Sequence, residues 1–269
     1  MQFSRVVEQH SPLSGRGFQA VRLWHEDYDG LADPFLLVDH FRMSEAVFPA
    51  HPHAGFSPLT YVFPDSPNSM RHADTMGNRL LIHPGSLHWT LAGRGLQHKE
   101  DPEVLGSPVH GLQIWLNLPS ARKFDEPQIF HRESKQIEER DGVRWIADPL
   151  AAQQTPQPFG MVDVHRRAGE SFSFSLPREW QTLAYVYGDG ALTIEKNGDQ
   201  RIAPGGSSFA FAATDTITFR AQAETRFALL AGLPQRESIV VEGPFVMNTH
   251  DQIADAIRQY RAGEFGKLI

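Results

Sequence analysis

In two short stretches of the sequence, histidine and glutamate are spaced as metal binding requires. They are His51-x-His53 and, further along the chain, His98-x-Glu100. Because successive side chains of an extended strand alternate between its two faces, each stretch places both of its residues on one face, and two such strands can direct four ligands to one point. Three imidazoles and one carboxylate suit an ion of iron, manganese, cobalt, nickel, copper or zinc that keeps open coordination positions. Open positions indicate chemistry at the metal rather than a structural role.

Either pair alone is weak evidence, because the chain has 13 histidines and some fall two apart by chance. An internal repeat strengthens the interpretation: residues 59–63 (LTYVF) match residues 183–187 (LAYVY), and residues 82–85 (IHPG) match residues 202–205 (IAPG). Such a repeat predicts two copies of one strand-rich unit. With the copies aligned by eye, the residues opposite the four ligand candidates are Ser175, Pro177, Thr218 and Arg220. The second copy therefore lacks all four ligand types, which favours a metal site in the first copy only.

The length of the chain, 269 residues, predicts two domains of about 130 residues each, both large enough to bury a core. A polar segment over residues 120–158, which contains several prolines, is typical of a connection between domains. We therefore expect an N-terminal domain over residues 1–130 that carries the metal site. A C-terminal domain over residues 131–269 is expected to have no metal ligands.

Charge and composition exclude several classes of protein. The formal net charge is −7 and no long run of Lys or Arg occurs, which argues against direct binding to nucleic acid. The absence of cysteine excludes disulfides, thiolate zinc sites and iron–sulfur clusters, so nitrogen and oxygen atoms must hold any metal. The sequence has no run of about 18 apolar residues and no signal-peptide pattern, so we expect a cytoplasmic protein without membrane contact.

The pattern of apolar residues predicts an all-β protein with one helix near its C-terminal end. Short apolar runs such as residues 18–24, 35–41 and 112–118 are separated by turns with Gly and Pro, as in a β-sandwich or a small β-barrel. A capping-box pattern, Thr249-x-x-Gln252, precedes apolar residues at helical spacing. We expect a helix of about 13 residues there, ending before a glycine at position 263.

Other polar residues of the first half are expected to support the site or to lie at the surface. Four histidines belong to this group: His72, His83, His88 and His110. Among them His88 is the best candidate for a group that supports a ligand. Gln113 is expected to be a hydrogen-bonded core amide, with a place in the lining of the pocket as the alternative. The sequence has neither a complete G-x-G-x-x-G nor a G-x-S-x-G motif, so a dinucleotide-binding fold and an α/β-hydrolase are not supported.

Several motifs, in order, resemble those of the pirin family of bicupins. They include HPHAGF at residues 51–56, WTLAGRG at 89–95, GLQIWLNLP at 111–119 and GPFVMN at 243–248, so the resemblance covers essentially the whole chain. It implies two facing cupin β-barrels (double-stranded β-helices), of which the N-terminal one holds iron through three His and one Glu. The corresponding residues here are His51, His53, His98 and Glu100.

The sequence departs from the family beside these ligands. Ala54 stands where an Arg is usual, and residues 57–60 read SPLT where a Glu-Thr-Val-Thr run is usual. Neither departure changes a ligand candidate.

The resemblance also implies an activity. The protein is expected to bind one divalent transition metal per chain, Fe(II) first, with Mn, Co, Ni, Cu or Zn as alternatives, and to oxidise a small aromatic substrate, a flavonol such as quercetin, with O₂. Glu100 is then a ligand, the catalytic base, or both in turn. The alternative is a non-enzymatic iron-binding module that senses redox state and regulates a partner protein. A third option is a cupin that keeps a metal for stability alone.

Overall fold

The structure, a computed structural model of the chain, describes residues 2–8, 12–151, 155–196, 199–212 and 216–268. Strands dominate the described residues, and a single α-helix is found among them. None of the helices in these ranges is long and apolar enough to cross a membrane.

The strands follow one another along the whole chain, and most are short. In chain order they are β1 (Gln2–Phe3), β2 (Pro12–Gly15), β3 (Phe18–Trp24), β4 (Phe35–Met43), β5 (His51–His53), β6 (Phe56–Val62), β7 (Met70–Asp74), β8 (Arg79–Ile82), β9 (Leu87–Leu91), β10 (Leu96–Pro102), β11 (Val109–Asn117), β12 (Gln128–Arg132), β13 (Glu138–Arg140), β14 (Val143–Ala147), β15 (Phe159–Arg166), β16 (Ser171–Phe174), β17 (Gln181–Val186), β18 (Ala191–Lys196), β19 (Asp199–Pro204), β20 (Ser208–Ala212), β21 (Ile217–Ala221), β22 (Thr225–Gly232), β23 (Val240–Glu242) and β24 (Phe245–Met247). Three 3₁₀ turns cover His25–Tyr28, Ser120–Arg122 and Ser134–Gln136.

The predicted C-terminal helix is confirmed as α1 (His250–Arg261). At its start the Thr249 hydroxyl accepts a hydrogen bond from the backbone of Gln252, whose side chain accepts one in return from the Thr249 backbone. At its end Gly263 has a φ of +83°. Its N–H donates to the Tyr260 carbonyl and the Glu264 N–H donates to the Gln259 carbonyl, as in a Schellman motif. The local capping residues therefore define both ends of the helix.

The strands form two compact units, each assembled from three segments of the chain. The first unit consists of residues 12–22, 36–136 and 235–269, and the second of residues 1–11, 23–35 and 137–234. Neither unit is one continuous stretch of the chain. The division at residue 130 expected from the sequence therefore remains a prediction.

The two units repeat one topology, as the internal repeat predicted. The first unit has a seven-stranded sheet ordered β12-β9-β6-β11-β4-β3-β2 and a four-stranded sheet ordered β5-β10-β7-β8. The second unit has a seven-stranded sheet ordered β1-β20-β17-β22-β15-β14-β13 and a four-stranded sheet ordered β16-β21-β18-β19. The sheets are open rather than closed barrels. In each unit the four-stranded sheet carries the positions that correspond to the ligand candidates.

Strand register shows that the residue-by-residue alignment of the two copies made from sequence is wrong. In the first unit His98 pairs with His51, and in the second unit the buried pair at the same place is Phe219 with Phe172. The predicted equivalent Thr218 lies one residue away, on the opposite face of its strand. Because side chains alternate, a slip of one residue exchanges the inner and outer faces. The buried equivalents of the four ligand candidates are Phe172, Phe174, Phe219 and Ala221.

The cores of the two units differ accordingly. The second unit is filled by a large apolar cluster rich in phenylalanine, with ring centroids about 6 Å apart, as for Phe211 and Phe219 at 6.1 Å. The first unit also has an apolar core but buries polar side chains on its four-stranded sheet. The absence of ligand types from the second copy therefore holds under the corrected alignment.

Candidate metal centre

The candidate ligands come from two neighbouring strands of the four-stranded sheet. Strands β5 and β10 pair antiparallel, with His51 opposite His98 and His53 opposite Leu96. The chain turns directly after β5 at Gly55, whose φ is +80° and where an added Cβ would lie 1.8 Å from the Val246 carbonyl oxygen. Only glycine fits this turn without strain. The short strand is thus fixed in place beside β10.

A buried lysine also holds this turn. The Lys123 ammonium donates to the Gly55 carbonyl at 2.8 Å, to Asn117 Oδ1 at 2.7 Å and to the Val246 carbonyl at 3.1 Å. Burial lowers the pKa of Lys123 to about 8. Its three N–H groups meet three acceptors, so we take the ammonium as charged at neutral pH. It joins the end of β5 to β11 and to β24.

The three histidines bring their Nε2 atoms together. Nε2 of His98 lies 3.0 Å from Nε2 of His53 and 3.1 Å from Nε2 of His51. The three rings are nearly perpendicular to one another, at 88°, 72° and 83°, and their centroids are 4.7–4.8 Å apart. Such an arrangement gives three lone pairs that converge on one point from three directions.

The protonation of these rings suits metal binding. Burial lowers the pKa of His98 and of His53 well below the ordinary value, and neighbouring histidines lower both further. Nδ1 of His51 lies 2.9 Å from the Pro49 carbonyl oxygen, which can only accept, so this nitrogen carries the proton and Nε2 carries the lone pair. Neutral imidazoles with available Nε2 lone pairs are what metal ligation requires.

The nitrogen–nitrogen distances also fit a metal. Two nitrogen ligands at about 2.1 Å from an ion are about 3.0 Å apart at a right angle, and about 3.4 Å apart at the tetrahedral angle. The observed 3.0 and 3.1 Å match the right angle. These two distances therefore fit neighbouring positions of an octahedral site, with His98 beside both His51 and His53, and leave further positions for a carboxylate and for exogenous ligands.

Glu100 lies beside the three histidines and is held by its own neighbours. It belongs to a second group of closely spaced ligand atoms, formed with His98 and His72, whereas the first group consists of the three histidines. Glu100 Oε1 lies 3.1 Å from Nδ1 of His72, and Oε2 accepts from the Thr60 hydroxyl at 3.0 Å. Burial raises the pKa of Glu100, but the His72 hydrogen bond and the nearby histidines outweigh it and lower the pKa to about 2.

His72 is a fully buried link between two carboxylates. Its Nδ1 meets Glu100, and its Nε2 lies 3.3 Å from Asp74 Oδ2. Asp74 is itself anchored by the following turn, where it accepts from the backbone of Met76 and from the backbone and side chain of Asn78. Burial lowers the pKa of His72, yet the two carboxylates raise it to about 9 overall. The ring is therefore an imidazolium that donates to both.

An aromatic cavity of about 170 Å³ opens onto the three histidines and Glu100. Its walls are mostly apolar and come from β3, β4, β7 and β11: Phe18, Phe41, Met43, Met70 and Trp115. The Trp115 ring packs against Phe56 at 4.4 Å between centroids, and its edge faces His53 at 5.9 Å. Phe48, which is 43% exposed, lies at the cavity edge. The site thus combines convergent polar groups with flat apolar surfaces.

The other histidines singled out from sequence have different places. His88 does not contact a ligand candidate through a hydrogen bond but packs against His72, with centroids 4.0 Å apart and ring planes tilted by 52°. His83 contacts the Ser69 hydroxyl, and His110 contacts His40. The supporting role expected first for His88 therefore belongs more directly to His72. Sequence carried a weak signal for this, since His72 and Asp74 share a strand face at the same spacing as the ligand pairs.

Two residues beside the site bear on the predictions from sequence. Gln113 is half-buried and borders the cavity rather than lying in the core, and its Oε1, 3.0 Å from the Thr60 hydroxyl, competes with Glu100 for the single proton of that hydroxyl. Ala54, where the family usually has an Arg, is fully buried in an apolar cluster with Phe245 and Ile253. An arginine at this position would have to displace that cluster.

Comparisons with known proteins agree over the whole chain. Residues 18–116 match the family described as Pirin, and residues 161–266 match the Pirin C-terminal cupin domain. A Pseudomonas aeruginosa protein with a provisional name as a quercetin 2,3-dioxygenase is 33% identical over 281 residues, which cover 96% of each chain. Human Pirin is 34% identical over 245 residues, covering 87% of this chain and 83% of its own.

A solved structure shows the same architecture. The crystal structure of a quercetin 2,3-dioxygenase from Acinetobacter baumannii superimposes with a TM-score of 0.85 at 26% identity, and the match covers 100% of this chain and 99% of that one. The predicted all-β bicupin fold with a short C-terminal helix is thereby confirmed. The chain belongs to the pirin family.

Proposed function

We propose that this protein is a metal-dependent dioxygenase that oxidises flavonols such as quercetin, with one Fe(II) per chain held by His51, His53, His98 and Glu100. The observation that carries the proposal is the cluster of three nearly perpendicular imidazoles, in which Nε2 of His98 lies 3.0 and 3.1 Å from the other two Nε2 atoms, at the end of an aromatic cavity. Relatives named for quercetin dioxygenase activity support the substrate class. The remaining metals expected from sequence are alternatives, because affinity alone does not select iron.

The cavity accounts for binding and orientation of a flat substrate. Trp115 offers a ring surface backed by Phe56, against which an aromatic ring packs with a gain beyond that of area alone. The apolar walls exclude water from the polar end of the cavity, which strengthens electrostatic interactions there. A flavonol thus enters with its hydroxyl and carbonyl oxygens toward the histidines.

Glu100 is the group that takes the proton of the flavonol hydroxyl. Because the pKa of Glu100 is low, proton transfer to it requires a bound divalent cation, which would lower the pKa of that hydroxyl as a Lewis acid and supply the electron chemistry that O₂ requires. The donors from His72 and Thr60, at 3.1 and 3.0 Å, fix the direction of the carboxylate. A fixed carboxylate at the polar end of the cavity serves as ligand and as proton acceptor.

The test is oxygen consumption by protein loaded with Fe(II) under anaerobic conditions. Quercetin, other flavonols and enediol-like compounds are added, and O₂ uptake is recorded with metal content measured on the same samples. Turnover with a flavonol supports the proposal. If fully loaded protein shows none, while its affinity for a partner protein differs between Fe(II) and Fe(III), the redox-sensing alternative replaces the enzyme. Its partner protein and the cytoplasmic location remain predictions from sequence.

A further inference from the structure

One ion pair interrupts the apolar wall of the cavity. Arg22 on β3 meets Asp39 on the neighbouring strand β4 through two hydrogen bonds, Nε to Oδ1 at 2.7 Å and one terminal nitrogen to Oδ2 at 2.6 Å. Both side chains line the cavity. The Asp39 side chain is 9% exposed and that of Arg22 is 37% exposed. The two parallel bonds fix the carboxylate in one orientation toward the cavity.

Stability of the fold does not account for this pair. Strands β3 and β4 are already neighbours in the seven-stranded sheet, and the surrounding wall positions, such as Phe18 and Phe41, are apolar. A partly exposed ion pair adds little to stability, and a buried one is replaced by apolar residues with little or no loss. A polar feature that the scaffold does not need, in the wall of a binding cavity, is a candidate for recognition.

The chemistry of the pair selects the kind of group that it binds. Asp39 and Arg22 neutralise each other, so the pair gives little net attraction to an anion. A carboxylate has about four acceptor sites, of which the Arg22 fork uses two. Asp39 can therefore accept a further hydrogen bond from a hydroxyl group. An aromatic hydroxyl is the donor that suits an otherwise apolar wall.

The position of the pair sets which part of a substrate it meets. Strand β4 separates β3 from β11 in the sheet. Arg22 on β3 therefore lies two strand spacings, roughly 10 Å, from β11, which carries Gln113 and Trp115. The enclosed volume of about 170 Å³ is close to the ~150 Å³ cavity that holds one benzene ring. One ring of a larger molecule is therefore enclosed, and the rest lies along the wall toward the cavity edge.

We propose that Asp39, oriented by Arg22, is the specificity-determining residue of the cavity and accepts a hydrogen bond from an aromatic hydroxyl remote from the group that meets the metal. The inference rests on the proposed function for the orientation of the substrate. It predicts a preference for polyhydroxylated aromatic substrates over otherwise identical ones that lack the remote hydroxyls.

The experiment is a binding titration, independent of turnover. Quercetin and 3-hydroxyflavone, which lacks the hydroxyls on the outer rings, are titrated anaerobically into metal-loaded protein, and binding is followed by flavonol absorbance. The wild-type protein is expected to bind quercetin about tenfold or more tightly, the equivalent of about 1.4 kcal/mol. The measured quantity is the ratio of the two dissociation constants, 3-hydroxyflavone over quercetin. Asp39→Asn and Arg22→Met are expected to reduce this ratio to about one to threefold, mainly by weakening quercetin binding.

A matched control separates recognition from the general loss of an acidic group. Asp101 is also a carboxylate in an ion pair, 2.7 Å from Lys99 and with a 14% exposed side chain, but it does not line the cavity. Asp101→Asn is expected to keep the wild-type ratio. Metal content and thermal unfolding of each variant are measured first, so that a misfolded variant is recognised and replaced by Asp39→Ser.

The outcomes distinguish this inference from the proposed function. A ratio that survives Asp39→Asn overturns the inference and leaves the dioxygenase proposal standing. A ratio that collapses in Asp39→Asn but not in Asp101→Asn supports it, even if the loaded protein consumes no O₂, in which case only the dioxygenase proposal is lost. If neither flavonol binds the loaded wild-type protein, both the inference and the dioxygenase proposal are overturned.

Discussion

Replacing His72 with leucine should destabilise the metal-free protein in a way that depends on pH. The imidazole is fully buried, and its two nitrogens lie 3.1 Å from Glu100 and 3.3 Å from Asp74. Leucine fills a similar volume but has no donor, so both carboxylates lose their shared partner. Breaking a buried ion pair from one side leaves an uncompensated buried charge, which is strongly destabilising.

The size of the effect follows from the pKa of His72. A rise from the ordinary value of 6.5 to about 9 corresponds to about 3 kcal/mol of stability, at about 1.4 kcal/mol for each pH unit. Because the folded protein holds this proton more tightly than the unfolded chain, the contribution is complete below about pH 6.5 and is lost as the pH rises through about 9. We therefore expect His72→Leu to lower the free energy of unfolding by about 3 kcal/mol near pH 6, and by much less above pH 9.

The assay is urea unfolding of protein treated with a chelator, at about pH 6, 7.5 and 9.5, with wild type and variant compared at each pH. His88→Leu is the matched control, because its ring is buried and packs against His72, with centroids 4.0 Å apart. Burial lowers the pKa of His88, so this ring is neutral above pH 6.5 and the effect of its loss should not change from there upward. If the deficit of His72→Leu is equal at pH 6 and pH 9.5, His72 is not the shared imidazolium and the argument fails.

Three further outcomes are expected. Glu100→Gln should lower flavonol-dependent O₂ uptake by about 100-fold or more in metal-replete protein, because an amide cannot accept the proton, and O₂ electrode rates checked against metal content decide it. Lys123→Met should lower the free energy of unfolding by about 3 kcal/mol or more, since three buried acceptors lose their donor, whereas the exposed Lys135→Met should change it by less than about 0.5 kcal/mol in urea unfolding. Elemental analysis should find about one metal per chain, and almost none after His51→Ala with His53→Ala; two equivalents would contradict the assignment.

Sequence predicted the features of this protein that are local. The helix ends were readable because capping involves residues within four positions of one another, as for Thr249 and Gln252. The shared face of His51 and His53 was readable because alternation along a strand needs no tertiary information. The family resemblance then supplied the overall architecture, which propensities alone would have left between a sandwich and a barrel.

Features that depend on pairing between distant strands could not be read in this way. Glu100 and His72 are 28 residues apart, and the register of β7 against β10 alone brings them together. The same holds for Arg22 and Asp39, which are 17 residues apart on neighbouring strands. Nothing in the local pattern of either residue indicates its partner. Register errors of one residue on β21 and of three residues on β16 also misled the alignment of the two copies, since an odd shift exchanges the faces of a strand.

The corrected register gives the strongest reason to regard the polar interior of the first unit as functional. At corresponding positions of the four-stranded sheets, the first unit has six polar residues, of which five are buried and His51 is half-buried, and the second unit buries six apolar ones. The polar set is His51, His53, His72, Asp74, His98 and Glu100, and the apolar set is Phe172, Phe174, Leu192, Ile194, Phe219 and Ala221.

The second unit thus demonstrates that the same topology is compatible with apolar residues at every one of these positions. Buried ionic groups are not more stabilising than well-packed apolar residues of similar volume, and they are often less so. The fold therefore does not require the polar set, and three imidazoles with converging Nε2 atoms cannot satisfy one another fully by hydrogen bonds. A cation bound at that point would resolve the arrangement in the first unit, whereas apolar side chains, most of them phenyl rings, occupy the positions of the ligand candidates among the described residues of the second unit.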